Sequence, residues 1–134
     1  MPAMYVGRVR QGRKLAVERM DSAILLVMEQ RLGMALVPGT LNLVLANHFD
    51  RPPGTLFVPS VELGPDWEEM TGQAGYYLTS VLIEERYRGV AMQAEEFGFP
   101  LEQVEIMSEV HLRSTLTLDD GDEVRFSTVA GPRT

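Results

Sequence analysis

A threonine and an asparagine two residues apart are the first pair in this sequence that could share one chemical task. Thr40 and Asn42 follow Pro38-Gly39 in an alternating stretch that ends at Leu45. A β-strand places residues i and i+2 on one face, so both side-chain oxygens would point the same way. Mg²⁺ prefers hard oxygen ligands and commonly keeps waters and substrate phosphates in its shell. The same pattern is typical of an ordinary strand with a polar outer face, and the residues alone favour that interpretation.

A basic cluster near the start of the chain is the second candidate feature. Arg8, Arg10, Arg13 and Lys14 lie close together, although the protein has a formal net charge of −7. A positive patch in an acidic protein suits a small anionic ligand better than nucleic acid, which requires a broad cationic surface. A solvated strand and loop explain the same residues, and charge alone favours that explanation. We therefore predict no nucleic-acid partner.

The elements that must position these residues are short strands and few helices. Alternation and turn residues predict strands at 5–10, 40–45, 76–83, 87–92, 103–109 and 123–129, with 56–63 as an edge strand or extended loop because of Pro59. A helix is predicted at 22–32, with Asp21 or Ser22 as N-cap and Gly33 as its stop, and a shorter one at about 109–116. Because helices do not alternate with strands, the pattern favours a barrel over a βαβ sheet.

Length and composition narrow the class of protein. The 134 residues fit one domain, and 45% hydrophobic residues predict a folded globule. The sequence contains no cysteine, which excludes disulfides and thiolate metal sites. No apolar run approaches the roughly 20 residues that cross a bilayer, and the start lacks the pattern of a secretory signal. We therefore expect a cytoplasmic protein without a membrane partner, and we assume a monomer.

Several short motifs occur in a fixed order along the chain. They are Gly7, Leu32-Gly33, Pro38-Gly39-Thr40-Leu41-Asn42-Leu43, Gly89, Val104-Glu105-Ile106, Leu112-Arg113 and Leu118-Asp119-Asp120-Gly121-Asp122. In this order and spacing they resemble the signature of the CTP-dependent riboflavin kinases, and the resemblance covers essentially the whole chain. It implies one mainly β domain over residues 1–134, a cradle-loop barrel of six or seven strands with two short helices. Some members carry an N-terminal winged helix, for which we expect no room here.

The resemblance also implies an activity and a set of site residues. The family transfers the γ-phosphate of CTP to the ribityl 5′-hydroxyl of riboflavin, giving FMN and CDP. By resemblance, Thr40 and Asn42 would hold Mg²⁺ between the phosphates, and Glu105 would contact the flavin. Glu105 is also a candidate general base. The segment after the Leu-Arg motif would line the cytidine nucleotide: Arg113, Ser114, Thr115 and Leu116.

The sequence departs from the family pattern in two places. The family wraps the phosphates with a glycine-rich loop after its first strand, whereas only Gly12 remains in the corresponding stretch at 11–16. Arg13 and Lys14 would bind phosphate through their side chains instead, or form an ordinary solvated loop. The second departure is Phe97, near the position of a family threonine that touches the flavin. Phe97 would stack on the isoalloxazine ring or belong to the core.

Three functions follow, in order of preference. The first is an active riboflavin kinase that uses CTP and Mg²⁺. The second is a catalytically degenerate barrel that binds a flavin or nucleotide without transferring phosphate, as the missing loop glycines would suggest. The third is DNA binding, known among relatives of cradle-loop barrels, which the net charge of −7 disfavours.

Overall fold

The computed structural model describes residues 3–10, 22–37, 41–95 and 100–129. In these ranges the chain forms seven strands: β1 (Met4–Arg10), β2 (Leu41–Leu45), β3 (Leu56–Pro59), β4 (Gly75–Ile83), β5 (Tyr87–Ala94), β6 (Gln103–Ser108) and β7 (Glu123–Thr128). The helices are α1 (Ser22–Leu32), α2 (Trp67–Thr71), α3 (Leu112–Thr115) and a 3₁₀ turn (Ser60–Glu62). None of the helices within those ranges is long and apolar enough to cross a bilayer.

The strands close into an antiparallel barrel. Their order is β4-β5-β6-β2-β1-β7. β7 also pairs with β4, where Val81 is in register with Thr128, Leu82 with Ser127 and Ile83 with Phe126. The ring therefore has six strands. β3 is an additional strand that pairs with the first half of β4. This arrangement confirms the predicted mainly β barrel.

Local sequence signals set most of the element boundaries. The helix predicted at 22–32 is confirmed, and Gly33 ends it in a left-handed conformation with φ of 69°. The segment from residue 56 forms an edge strand that stops at Pro59, as Pro59 predicts, and then turns. The structure adds the one-turn helix α2, which the sequence pattern did not predict.

The interior of the barrel is an apolar core. Leu41, Leu43 and Leu45 of β2 are buried there, as their alternation predicts. They pack with inward residues of the other ring strands, including Val9, Val81, Ile83, Ala91, Val104, Ile106, Val124 and Phe126. The remaining residues of β2, Asn42 and Val44, face outward and are half-buried.

A second apolar core lies outside the barrel. Met28 of α1, with Met34 and Leu36 after it, belongs to one buried cluster with outward residues of β4, β5 and β6: Leu78, Val90, Met92, Ala94 and Met107. These three strands are therefore buried on both faces. The outer face of β1 and β2 remains more open, because its residues are exposed or half-buried.

A buried glutamine joins three segments at one end of the barrel. Gln93 is 1% exposed, and its Nε2 donates to the carbonyls of Leu101 (3.1 Å) and Gln103 (2.9 Å). Its Oε1 accepts from Nε of Arg51 (3.1 Å), whose guanidinium lies 3.8 Å from the centre of the Tyr77 ring. The pKa of Tyr77 is raised, first by a hydrogen bond with Glu95 and to a smaller extent by burial. Gln93 thus fixes the turn that leads into β6.

Replacing Gln93 by leucine is expected to lower the free energy of unfolding by about 2 kcal/mol, because the carbonyls of Leu101 and Gln103 lose a buried donor. Urea titration followed by circular dichroism measures this change. Gln30→Leu is the matched control, since Gln30 is exposed on α1, and it should stay within about 0.5 kcal/mol of the parent. Equal stabilities for the two variants would contradict the structural role assigned to Gln93.

Candidate active site

Asn42 lies between two charged residues that are distant in sequence. On one side it is in register with Arg10 of β1, and on the other with Glu105 of β6. Directly opposed residues of antiparallel strands place their side chains on the same face, with Cβ atoms about 5 Å apart. Arg10, Asn42 and Glu105 therefore form one row across the outer face of the barrel, in the order cation, amide and carboxylate.

The row lies at the border of the second apolar core. On β5 the partner of Glu105 is Met92, which is buried in that core. Asn42 and Glu105 are half-buried, whereas Arg10 is exposed. The row thus borders a buried apolar residue on the β5 side and ends in a solvent-exposed cation on β1. A ligand bound on Asn42 would have a partly covered side toward β6 and an open side toward β1.

The beginning of β2 and the end of β6 lie side by side. The N–H of Val37 donates to the carbonyl of Ser108 (2.8 Å), and Leu41 is in register with Ile106. Val37 and Leu41, which flank residues 38–40, therefore both lie next to β6. Helix α3 follows β6 after a short bend, so its residues begin at the same end of the barrel.

Helix α3 contains most of the predicted nucleotide segment. His111 caps it, because its Nδ1 accepts from the N–H of Ser114 (3.4 Å) and lies 2.8 Å from the hydroxyl oxygen of that serine. Arg113, Ser114 and Thr115 are exposed, whereas Leu116 is half-buried against the barrel core. Leu116 therefore packs against the barrel core, unlike the other three residues of this segment.

A chain of contacts connects α3 to the end of β1. Arg113 forms an ion pair with Asp120 (3.2 Å) in the turn before β7. That turn is tied to β1, since the N–H of Gly121 donates to the carbonyl of Val9 (2.7 Å) and the N–H of Val9 donates to the carbonyl of Asp122 (2.9 Å). The end of β1, the 119–122 turn and α3 thus meet at one end of the barrel.

The donors around Asn42 suit a hard cation. The described ranges contain no group of three or more histidine or acidic side chains that could hold a metal ion by themselves. The amide oxygen of Asn42 is a hard oxygen, which fits an ion that takes most of its other ligands from water and phosphate. Asn42 would therefore fit as one ligand of Mg²⁺.

The predicted site residues divide into two groups. Asn42, Glu105 and the segment 113–116 lie in the described ranges, and the structure places Asn42 and Glu105 next to each other. Thr40, Gly12, Arg13, Lys14 and Phe97 lie outside the described residues. The alternation in the sequence predicts that Asn42 faces outward, but it contains no signal for the neighbours on either side.

Comparison with known proteins identifies the family of this chain. The model of a family named CTP-dependent riboflavin kinase, described as a domain of unknown function, DUF120, matches residues 22–128. The chain belongs to this family. The riboflavin kinase of Methanococcoides burtonii is 36% identical over 102 residues, which cover 73% of this chain and 44% of that protein. The riboflavin kinase of Aeropyrum pernix is 32% identical over 100 residues, covering 74% of this chain and 76% of that protein.

Membership of the CTP-dependent riboflavin kinase family confirms the resemblance seen in the sequence. Both similar proteins bear the name of a phosphotransferase. The chain spans less than half the length of the Methanococcoides relative. The family match includes β2 and β6, which contribute Asn42 and Glu105, together with α3 and the turn before β7, whereas β1 with Arg10 lies outside the matched residues.

Proposed function

We propose that this protein is a riboflavin kinase that transfers the γ-phosphate of CTP to the 5′-hydroxyl of riboflavin in a Mg²⁺-dependent reaction. The observation that carries the proposal is the pairing of Asn42 with Glu105 on the outer face of a barrel of this family. It supports a cation-binding oxygen beside a carboxylate, which is an arrangement suited to a phosphate donor and an alcohol acceptor. We also infer that residues 1–134 form one barrel domain.

The reaction needs few protein groups. The 5′-hydroxyl oxygen of riboflavin bonds to the γ-phosphorus as the bond from that phosphorus to the β–γ bridging oxygen breaks, so that CDP leaves. Bound Mg²⁺ would neutralise negative charge on the phosphates. Asn42, with Thr40, would hold that ion in place. Glu105 would contact the flavin and accept the proton that the hydroxyl loses.

The nucleotide would be held by two further segments. Arg113, Ser114, Thr115 and Leu116 follow β6, and we propose that they line the cytidine nucleotide. Gly12, Arg13 and Lys14 follow β1, and we propose that they contact its phosphates. Phe97 would stack on the flavin ring. Most of the binding energy for the nucleotide would therefore come from the segments at the end of the barrel where β1 ends and α3 begins, while β2 and β6 supply the reacting centre.

The direct test is to incubate the purified protein with riboflavin, CTP and Mg²⁺ and to separate the flavins by chromatography. We expect FMN and CDP in equal amounts, with CTP preferred over ATP and GTP and no product in EDTA. A lack of FMN with all three nucleotides would refute the kinase proposal. Preference for ATP would retain the kinase and refute the choice of donor.

A second candidate function is ligand binding without phosphate transfer. It is favoured by one observation, the single glycine in the stretch at 11–16, where the family has a glycine-rich loop. A thermal-shift titration separates the two functions, because a ligand that binds the native state raises the unfolding temperature. Stabilisation by FMN or CDP in a protein that forms no FMN would establish the binding function instead.

A further inference from the structure

Arg10 is a cation beside the candidate site that the sequence motifs leave without a role. It is the last residue of β1, is exposed on the outer face, and is in register with Asn42. Four other arginines in the described ranges form ion pairs with carboxylates: Arg8, Arg31, Arg88 and Arg113. Within those same ranges, no carboxylate lies at ion-pair distance from the Arg10 guanidinium.

The contrast with Arg8 shows that this difference is local. Arg8 is on the same strand and face, two residues earlier, and is held by Glu123 (3.2 Å) and by the carbonyl of Gly121 (3.0 Å). Its charge is therefore used to fix the turn before β7. Arg10, at the end of the strand next to Asn42, has a charge that remains available to a ligand.

The order of residues in the row indicates on which side of Asn42 a phosphate would lie. Arg10 and Glu105 lie on opposite sides of Asn42, each about 5 Å away at Cβ. A long arginine side chain readily spans such a distance to reach a group bound on Asn42. The guanidinium of Arg10 favours negative charge on the β1 side of Asn42. A phosphate chain held at Asn42 would therefore extend toward Arg10, and a neutral alcohol would approach from Glu105.

We propose that Arg10 is a catalytic residue whose guanidinium contacts the terminal phosphates of the donor from the side opposite Glu105. This inference rests on the proposed kinase function. A planar guanidinium donates two parallel hydrogen bonds to phosphate oxygens, and its charge stabilises the negative charge on the β–γ bridging oxygen as that bond breaks. The acceptor hydroxyl is thereby confined to the opposite side of the γ-phosphorus, as in-line transfer requires.

The test compares Arg10→Ala and Arg10→Lys with Arg125→Ala in steady-state kinetics and ligand titration. Arg125 is a matched control, because it is an exposed arginine on the outer face of β7 and lies outside the row. We expect Arg10→Ala to lower kcat/KM for CTP by about 10- to 100-fold, the usual loss for a hydrogen bond to a charged group. Arg10→Lys should restore part of this loss, and Arg125→Ala should remain within about 2-fold of the parent.

Binding measurements distinguish phosphate contact from a structural effect. Arg10→Ala should weaken CDP binding and leave riboflavin binding unchanged. Equal weakening of both ligands, or kinetics equal to those of Arg125→Ala, would overturn the inference. Arg10→Lys provides the same comparison if the alanine variant does not fold. The two proposals can be tested separately. A parent protein that forms no FMN would refute the kinase function. An active parent with an equally active Arg10→Ala variant would refute only the role of Arg10.

Discussion

Replacing Asn42 by alanine is expected to lower the rate of FMN formation by at least about 100-fold, the scale of loss when a group that stabilises transition-state charge is removed. The side chain faces outward from β2 between Arg10 and Glu105, so its removal takes away an oxygen that would hold Mg²⁺ at the reacting phosphates. The Mg²⁺ concentration that gives half-maximal rate should rise as well. Replacing Thr40 and Asn42 together should leave no measurable activity. Chromatographic FMN assays over a Mg²⁺ series measure both effects.

Val44→Ala is the matched control for this substitution. Val44 is the next outward residue of β2 and is half-buried like Asn42, but its register partners are Arg8 and Gln103. The control should keep activity within about 3-fold, since surface changes away from a site have small effects. An Asn42→Ala variant as active as Val44→Ala, with the same Mg²⁺ requirement, would exclude Asn42 from the reaction.

Replacing Gly89 by alanine is expected to lower the free energy of unfolding by about 3 kcal/mol, the upper end for overpacking a close-packed interior. A Cβ at this position would lie 2.4 Å from the carbonyl oxygen of Met107 and 2.6 Å from Cδ1 of Ile83. The carbonyl belongs to the backbone of β6, so it cannot move without disturbing the β5–β6 pairing. The unfolding midpoint should fall by about 10 °C, which differential scanning calorimetry measures.

Gly64→Ala provides the comparison for the glycine substitution. No atom lies within 4 Å of the position that a Cβ would take on Gly64, and its backbone does not require a positive φ. Its stability should be unchanged or slightly raised, because alanine restricts the unfolded chain. A Gly89→Ala protein that unfolds at the same temperature as Gly64→Ala would show that β6 moves away without cost, contrary to the packing described above.

Sequence patterns predicted the elements whose signals are local. Gly33 ends α1 because it adopts a positive φ that other residues avoid, and Pro59 ends β3 because proline lacks an N–H for the sheet. Alternation correctly separated the inward leucines of β2 from Asn42. Helix α2 escaped prediction because one turn is too short to show a period. It is held by tertiary contacts, including the hydrogen bond from Nε1 of Trp67 to the hydroxyl of Tyr76 (3.2 Å).

The relation between strands was not accessible in the same way. Asn42 meets Arg10 and Glu105 only through strand register, which depends on how the whole barrel closes rather than on neighbouring residues. The second core was hidden for a related reason. Strands covered on both faces lose the alternation that marks an exposed face, so the outward Val90 and Met92 of β5 give no sign of the helix that covers them. Family resemblance supplied Glu105, but the place of Arg10 required coordinates.

The strand β3 also bears on how this protein behaves at high concentration. In the described part of the chain its outer edge has no pairing partner, and such edges are where molecules add strand to strand and aggregate. Here the edge is only four residues long and ends in Pro59, which has no N–H to donate. Closure of the other six strands into a ring leaves them without a comparable edge. Within the described residues, intermolecular sheet growth therefore has one short and poorly bonding starting point, which disfavours aggregation through strand pairing.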